Sequence, residues 1–545
     1  MSTRREFITY GLTAALGAGL FADRAAALEP EPEQGDVAFS TTEALEIESF
    51  DGTTIRASVF EPDVDGERPA VLMTHGWGGT RADRRPLAEY YASHGYVVLT
   101  YDSRGFGESG GEVGVDGPNE VGDARTLLTW LANRDSVATD GPDDPRVGMD
   151  GYSYGAGIQL MTAIVDDRLD ALVPRWGWHD LRFSNDPNRV LKWAWFYGLY
   201  QSGIANGEPN DRFLRLSEQA VEAREAPEEL RAFWQSRSPV GQLGAIDTPT
   251  LLISGWEDRL FTANEAFANL QGLRDTGTDA RLVMYDYGHD FVDSGGPTET
   301  QTAYANDAAL AWLDAHLKDG ETGDDEGSGA TAPDVPVASL YRSQADTFET
   351  YDALPGGETA LPLGSGASGG SSQVRLTGGS GNQNASSGTA TFDFRVDEAV
   401  DVVGTPRLWL SVTPTGGDPS PHLFGTLSHV TPDGEATILK DQVAATRVES
   451  AGLLAFDLVG VERRVPAGHT LRVTLAAADG SLVEDAVPFD DALYVDSESP
   501  AGVVVNHSPG APSTLALPTL DGVELAEEEE REDDDDDEGD DGGDD

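Results

Sequence analysis

Apolar and polar positions follow two different rhythms along this chain, and the change of rhythm divides it. From residue 45 to residue 318, short apolar runs alternate with amphipathic stretches. Residues 45–60 predict a β-hairpin around Asp51-Gly52, and residues 70–74 predict a buried strand bounded by a Gly-rich loop. A helix over 83–94 is stopped by Gly95, and 96–101 forms the next buried strand. Val121, Ala124, Leu127, Leu128 and Leu131 recur at helical spacing within 119–133. Residues 146–150 predict a strand and 156–165 a helix. Further strands are expected at 171–175, 249–254 and 280–285, with a helix over 300–317 that ends at Lys318. Strands separated by helices imply a mostly parallel sheet covered on both faces, an α/β fold.

Two segments leave that rhythm. Residues 181–240 carry no strand signal and crowd Trp193, Trp195, Phe196, Tyr197 and Tyr200 together, which predicts a helical cap inserted over the sheet. Aromatics at that density serve either as packing or as pocket walls, and Trp176, Trp178, Trp193 and Trp195 are the candidate walls. Residues 319–334 are rich in Gly, Asp, Glu and Pro and predict a linker. Beyond it short alternating runs at 391–396, 407–412, 422–429, 436–438, 454–459 and 470–476 predict an all-β sandwich. The expected organisation is a leader over 1–27, a linker over 28–43, and an α/β domain over 44–318. The linker over 319–334, a β-domain over 335–525 with a flexible loop at 364–388, and an acidic tail over 526–545 complete it.

Charge changes the picture next. The net charge of the 545 residues is −60, and the nineteen residues from Glu527 onward hold 15 acids and one base. Without them 81 acids still face 35 bases, so the acidity is spread over the folded body. Three lysines occur (Lys192, Lys318 and Lys440), so nearly all positive charge is arginine. Such a surface repels itself unless salt screens it, which predicts a protein of a halophile that folds and acts in molar salt. It is a poor partner for nucleic acid, which needs clustered Lys and Arg. The chain has no cysteine, so neither disulfides nor thiolate metal sites contribute.

The sequence Ser2-Thr3-Arg4-Arg5-Glu6-Phe7-Ile8 looks like a twin-arginine export signal, followed by a mildly apolar run to Phe21 and by Ala25-Ala26-Ala27. The expectation is handling by the twin-arginine export machinery, secretion in folded form and no membrane anchor.

Three stretches match G-x-S-x-G: residues 107–111, 151–155 and 366–370. The chemistry needs a strand, a sharp turn and a helix, which expose the hydroxyl and aim a helix N-terminus at developing negative charge. Ser368 lies in a low-complexity stretch, and no helix opens directly after Ser109. Only Ser153 has a strand before it and an apolar helix after it. A serine needs a base oriented by a carboxylate, and in such folds the chain order is Ser, acid, His. Asp258, just past the strand at 249–254, is the candidate acid, with Glu257 as fallback. His289, after the strand at 280–285, is the candidate base. His179 precedes the acid, and His316 sits near a helix end where a cation suits the dipole. The backbone N–H groups of Tyr154 and Trp77 are the candidate oxyanion donors, and His75 is expected to brace its loop.

With these residues in place, the chain resembles the cocaine esterase and X-prolyl dipeptidyl-peptidase family of α/β-hydrolases over about residues 44–525. The resemblance rests on Asp102-Ser103-Arg104-Gly105-Phe106-Gly107-Glu108-Ser109-Gly110, on the Gly151–Gly155 turn and on Gly255-Trp256-Glu257-Asp258. It rests also on Gly404-Thr405-Pro406-Arg407-Leu408-Trp409-Leu410 in the β-rich part. It implies an α/β-hydrolase fold followed by a jelly-roll (galactose-binding-like) domain, and the triad Ser153, Asp258 and His289. Many members supply an oxyanion donor from a tyrosine side chain, where this chain has His75-Gly76-Trp77. The expected activity is cleavage of a small ester, amide or peptide, of X-prolyl dipeptidyl-peptidase or carboxylic-ester hydrolase type, with no metal or organic cofactor. The rival reading is a non-catalytic envelope protein that binds glycan or peptide through its β-domain.

Overall fold

The computed structural model describes residues 32–289, 296–318, 335–363, 373–378, 389–416, 420–477, 494, 501–506 and 513–520. The predicted leader, the linker at 319–334, the G-x-S-x-G match at 366–370 and the acidic tail lie outside the described residues.

A ten-stranded sheet organises the first part of the chain. Its middle is parallel, in the order Val97–Tyr101, Ala70–Thr74, Val147–Tyr152, Ala171–Arg175, Thr250–Gly255, Ala280–Tyr285 and Ala338–Arg342. Strands buried on both faces read as unbroken apolar runs, because successive side chains point to opposite sides. Ala70 and Leu72 accordingly meet the helices Pro118–Ala132, Tyr154–Ala163 and Ala263–Asp275, whereas Val71 and Met73 meet Arg85–Ser93 and Glu299–Leu317. The hairpin of Phe39–Glu48 and Thr54–Pro62 closes one edge in antiparallel pairing.

Besides further short strands of the β-domain, the observed elements depart from expectation where the architecture is decided. Phe39–Glu48 is a strand, so the predicted linker at 28–43 ends inside regular structure. Ala263–Asp275 is a helix that was not predicted; Ala266, Leu270 and Leu273 are its buried stripe. The hairpin Ala338–Arg342 and Thr347–Tyr351 joins the first sheet, although 335 was the predicted start of the β-domain. Leu340 is buried with Leu282 and Met284 of the neighbouring strand, and alternation alone does not say which sheet a strand enters. Gln373–Gly378 is a strand paired with Ala501–Asn506, inside the stretch expected to be a loop.

The β-domain stacks an eight-stranded antiparallel sheet on a five-stranded one. Its core includes Phe392, Leu408, Leu410, Leu423, Leu427, Val473, Leu475, Val503 and Val505. The insertion is helical: Leu181–Asn185, Trp193–Asn206, Asp211–Ala223 and Glu228–Gln235. Its apolar side chains form one cluster with Phe106, Tyr154, Leu260 and Phe261 of the sheet's loops. Val190 of the insertion packs with Phe424, Val443, Ala445 and Tyr494 of the β-domain, so the three parts meet around the ends of the parallel strands. Ligands of such sheets bind outside the carboxyl ends of the strands. Among the described residues, no helix is long and apolar enough to cross a membrane.

Candidate active site

Ser153 stands between the strand Val147–Tyr152 and the helix Tyr154–Ala163, with φ 57° and ψ −116°. A non-glycine residue held there carries local strain, which the surrounding bonds must offset. Its N–H donates to the Arg175 carbonyl at 2.8 Å, and its carbonyl accepts from Ala156 and Gly157 at 2.9 and 3.1 Å. Gly155 has no room for a side chain, since a Cβ there would lie 2.5 Å from the Thr74 carbonyl oxygen. Beneath the turn, the Gln159 amide donates to the carbonyls of Gly155 and Val173, at 2.9 and 3.3 Å. Under the strand, Arg175 pairs with Asp150 at 2.9 Å, and both side chains are buried.

Asp258 and His289 follow the strands Thr250–Gly255 and Ala280–Tyr285. The Ser153 Oγ lies 2.8 Å from His289 Nε2, and His289 Nδ1 lies 2.6 Å from Asp258 Oδ2. The other carboxylate oxygen of Asp258 accepts from the N–H groups of Leu260 and Phe261, at 2.9 and 2.7 Å. With Oδ2 accepting the Nδ1 proton, Nε2 is left as an acceptor facing the serine hydroxyl, the arrangement a general base requires. The two loops also bind each other, since the Arg259 N–H donates to the His289 carbonyl at 3.0 Å. Gly255 makes that approach possible: a Cβ there would fall 1.5 Å from the Tyr287 carbonyl oxygen.

The remaining candidates separate by contact. Tyr154 opens the helix, where backbone N–H groups have no intrahelical acceptor. Trp77 lies on the pocket wall and its indole donates to the Leu199 carbonyl at 2.9 Å, docking the insertion on the sheet. Trp178 lines the pocket, while Trp176 and Trp195 pack edge-on against the His289 ring, with centroids 6.2 and 6.1 Å away. Trp193 instead stacks on Tyr197, with Arg224 over its ring. His75 accepts from the Ser103 N–H at 3.0 Å and braces its loop. Ser109 donates to the Asp102 carbonyl at 2.7 Å and accepts from the Arg56 N–H, an internal brace. His179 bonds Asn269 at 3.0 Å, and His316 packs on Trp312.

The pocket beside Ser153 is a narrow cavity of about 50 Å³, walled by Trp77, Val115, Tyr154, Trp178, Phe196 and Phe261, among others. No acidic or basic side chain is among its described lining residues. Next to it, Val115 and Asp116 both adopt left-handed backbone conformations, with φ 59° and 49°. Burial pushes the Asp116 carboxyl well above the usual carboxylate range, with Glu120 adding to the effect.

Sequence reasoning missed what holds the acid and base loops from outside. The Gln442 amide of the β-domain donates to the carbonyls of Trp256 and Asp258, both at 3.0 Å. Lys440, two residues earlier, bonds Asp286 and Ser343. Lys440 and Asp441 have φ 52° and 50°, an unusual pair in a short turn. The scarcity of lysine in this chain was the one signal that pointed to Lys440.

A family model for the X-Pro dipeptidyl-peptidase (S15 family) matches residues 51–290, and one for the X-Pro dipeptidyl-peptidase C-terminal non-catalytic domain matches 293–515. The chain belongs to the X-Pro dipeptidyl-peptidase and cocaine-esterase family of serine hydrolases. It is 24% identical to the cocaine esterase of Rhodococcus sp. (strain MB1 Bresler) over 437 residues, which covers 70% of this chain and 71% of that protein. It is 32% identical to the quorum-quenching protein AidA of Acinetobacter baumannii (strain MDR-ZJ06) over 129 residues. That match covers 23% of this chain and only 41% of AidA. Among solved structures, a CocE/NonD family hydrolase from Staphylococcus aureus superposes with a TM-score of 0.66 at 17% identity, covering 88% of this chain and 94% of that one. An α-amino acid ester hydrolase superposes with a TM-score of 0.65 at 17% identity, covering 89% and 97%. At such identities these likenesses establish the shared fold.

Proposed function

We propose that this family member hydrolyses carboxylic esters of short apolar acids through an acyl-enzyme on Ser153. The observation that carries the reading is the continuous hydrogen-bonded chain from Ser153 through His289 to Asp258 at the wall of an apolar pocket. His289 Nε2 takes the Ser153 proton as Oγ attacks the ester carbonyl. The oxyanion that forms is met by the N–H groups of Tyr154 and Trp77. Collapse breaks the bond to the alcohol, which leaves with the proton from His289. Water then attacks the acyl-enzyme, His289 takes its proton, and the acid is released as Ser153 is restored. Asp258 keeps the proton on Nδ1 and stabilises the transient imidazolium.

The pocket favours esters over dipeptides. A free amino end needs a carboxylate to receive it, and the described lining residues supply none. A cavity of about 150 Å³ takes a benzene ring, so the space here suits a short acyl chain. The test is a comparison of p-nitrophenyl acetate and butyrate with an Ala-Pro p-nitroanilide. Faster turnover of the anilide would overturn the ester reading while leaving the triad in place. Esterase activity that survives Ser153→Ala would overturn the triad.

We propose also that the protein is exported through the twin-arginine pathway and works in concentrated salt. The support is Arg4-Arg5 ahead of an apolar run, and 96 acids against 36 bases. The midpoint of thermal unfolding should rise by tens of degrees between dilute buffer and molar salt as screening relieves self-repulsion. Equal midpoints would remove the halophilic reading.

A further inference from the structure

We infer that Lys192 is a positioning residue for the triad: its ammonium acts on Asp258 through two peptide groups, so that the helical insertion supplies a cation to the catalytic acid. The inference rests on the triad reading above. Lys192 caps the aromatic helix Trp193–Asn206 and is 3% exposed. Its Nζ donates to the carbonyls of Arg259 and Leu260, at 2.9 and 3.0 Å. Those carbonyls belong to the same peptide units as the N–H groups of Leu260 and Phe261, which bind Asp258 Oδ1. Each peptide dipole thus has an ammonium at its oxygen end and a carboxylate at its N–H end. Both charges polarise the unit in the same sense, which strengthens the two bonds to Asp258.

Among the described residues, the Lys192 ammonium contacts no carboxylate directly, unlike Lys318 with Asp314 and Lys440 with Asp286. An unpaired buried cation is costly, and burial brings Lys192 down to about 8, while Glu265 and Asp258 favour its charged form. Glu265, on Ala263–Asp275, accepts from the N–H groups of His179 and Asp180 at 2.7 and 2.8 Å, and burial pushes it up to about 7. His289, across Asp258, is faced by Ser153 and by the rings of Trp176, Trp195 and Phe261. The positive charge therefore steadies Asp258 through the two peptide units and opposes a second positive charge on His289. Removing it makes the imidazolium easier to form, and the acidic limb of the rate profile moves to higher pH.

The experiment uses the intact chain in molar salt, with fluorophosphonate labelling to establish that Ser153 is reactive in the parent. Lys192→Met removes charge and bonds, Lys192→Gln removes the charge but keeps two N–H donors, and Lys192→Arg keeps the charge. In the neutral variants the two bonds to Asp258 weaken and the His289 ring is held less firmly. There kcat should fall about tenfold at little-changed KM despite the stronger base, and the acidic limb of kcat/KM should rise by about half a pH unit. Lys192→Arg should return the limb toward that of the parent. Where Lys192→Met does not fold, Lys192→Gln decides. Neutral variants that keep the parent's limb, an equal displacement in Lys192→Arg, or failure of both neutral variants to fold would each overturn the inference and leave Lys192 a strut of the insertion. An unlabelled Ser153 in the folded parent would instead overturn the triad reading itself.

Discussion

Ser153 and His289 are one hydrogen bond apart, yet the regions that hold them rest on different parts of the chain. The supports of Ser153 come from the central sheet and its own helix: the Arg175 carbonyl, the Gln159 amide and the Asp150–Arg175 pair. The loops of Asp258 and His289 lean on outside elements. Lys192 of the insertion reaches one, and Gln442 and Lys440 of the β-domain reach both. A strained turn needs a stiff base, which a buried parallel sheet provides. Two loops at the strand ends lack that base and gain order from whatever packs over them. The domain whose family name calls it non-catalytic therefore touches the backbone of the proposed acid.

Perturbations of the two regions should differ in kind. Ser153→Ala, where both regions converge, should lower esterase kcat by at least about 10⁴-fold with the unfolding midpoint unchanged, read by steady-state kinetics and calorimetry. Arg175→Met leaves the buried carboxylate of Asp150 without its cation and should cost about 3–5 kcal/mol in denaturant unfolding. Gln442→Leu should do the reverse. Its kcat should drop about tenfold as the acid loop loosens, with a loss of only about 1–2 kcal/mol from two orphaned carbonyls. A stability loss in Gln442→Leu as large as in Arg175→Met would erase the contrast. The last effect concerns pH. Glu265 is raised from 4.5 to about 7 in the folded chain, so the folded state holds its proton more tightly than the unfolded one. Stability should then fall as pH rises from about 4.5 to about 7 and level off above, and Glu265→Gln should flatten that slope in urea titrations.

Much of the site was legible before the structure. Ser153 was separable from Ser109 because only one of them has a strand before it and a helix after it. Asp258 and His289 were legible because each follows a strand in the order this fold imposes. The pocket walls were less so. Trp176, Trp178, Trp193 and Trp195 share one composition signal, but two meet the His289 ring, one lines the cavity and Trp193 stacks on Tyr197. A tryptophan's direction depends on helix phase and on the neighbour it meets, and composition carries neither. The helix Ala263–Asp275 and the strand Gln373–Gly378 are not legible in the sequence because short stripes and Gly/Ser-rich flanks give weak periodicity.

By itself the sequence determined the α/β rhythm, the β-rich second part, the strongly acidic surface and the three side chains of the proposed triad. Those follow from local periodicity, from charge and from a turn motif, all properties of neighbours in the chain. Only the tertiary structure decided that Ala338–Tyr351 joins the first sheet, that the described lining residues of the pocket carry no charge, and that Lys192 and Gln442 meet the acid loop. Lys192 and Arg259 are sixty-seven positions apart, and Gln442 and Asp258 one hundred and eighty-four. Contacts over such separations leave no periodicity in a single sequence, because they are made by packing between elements rather than within them.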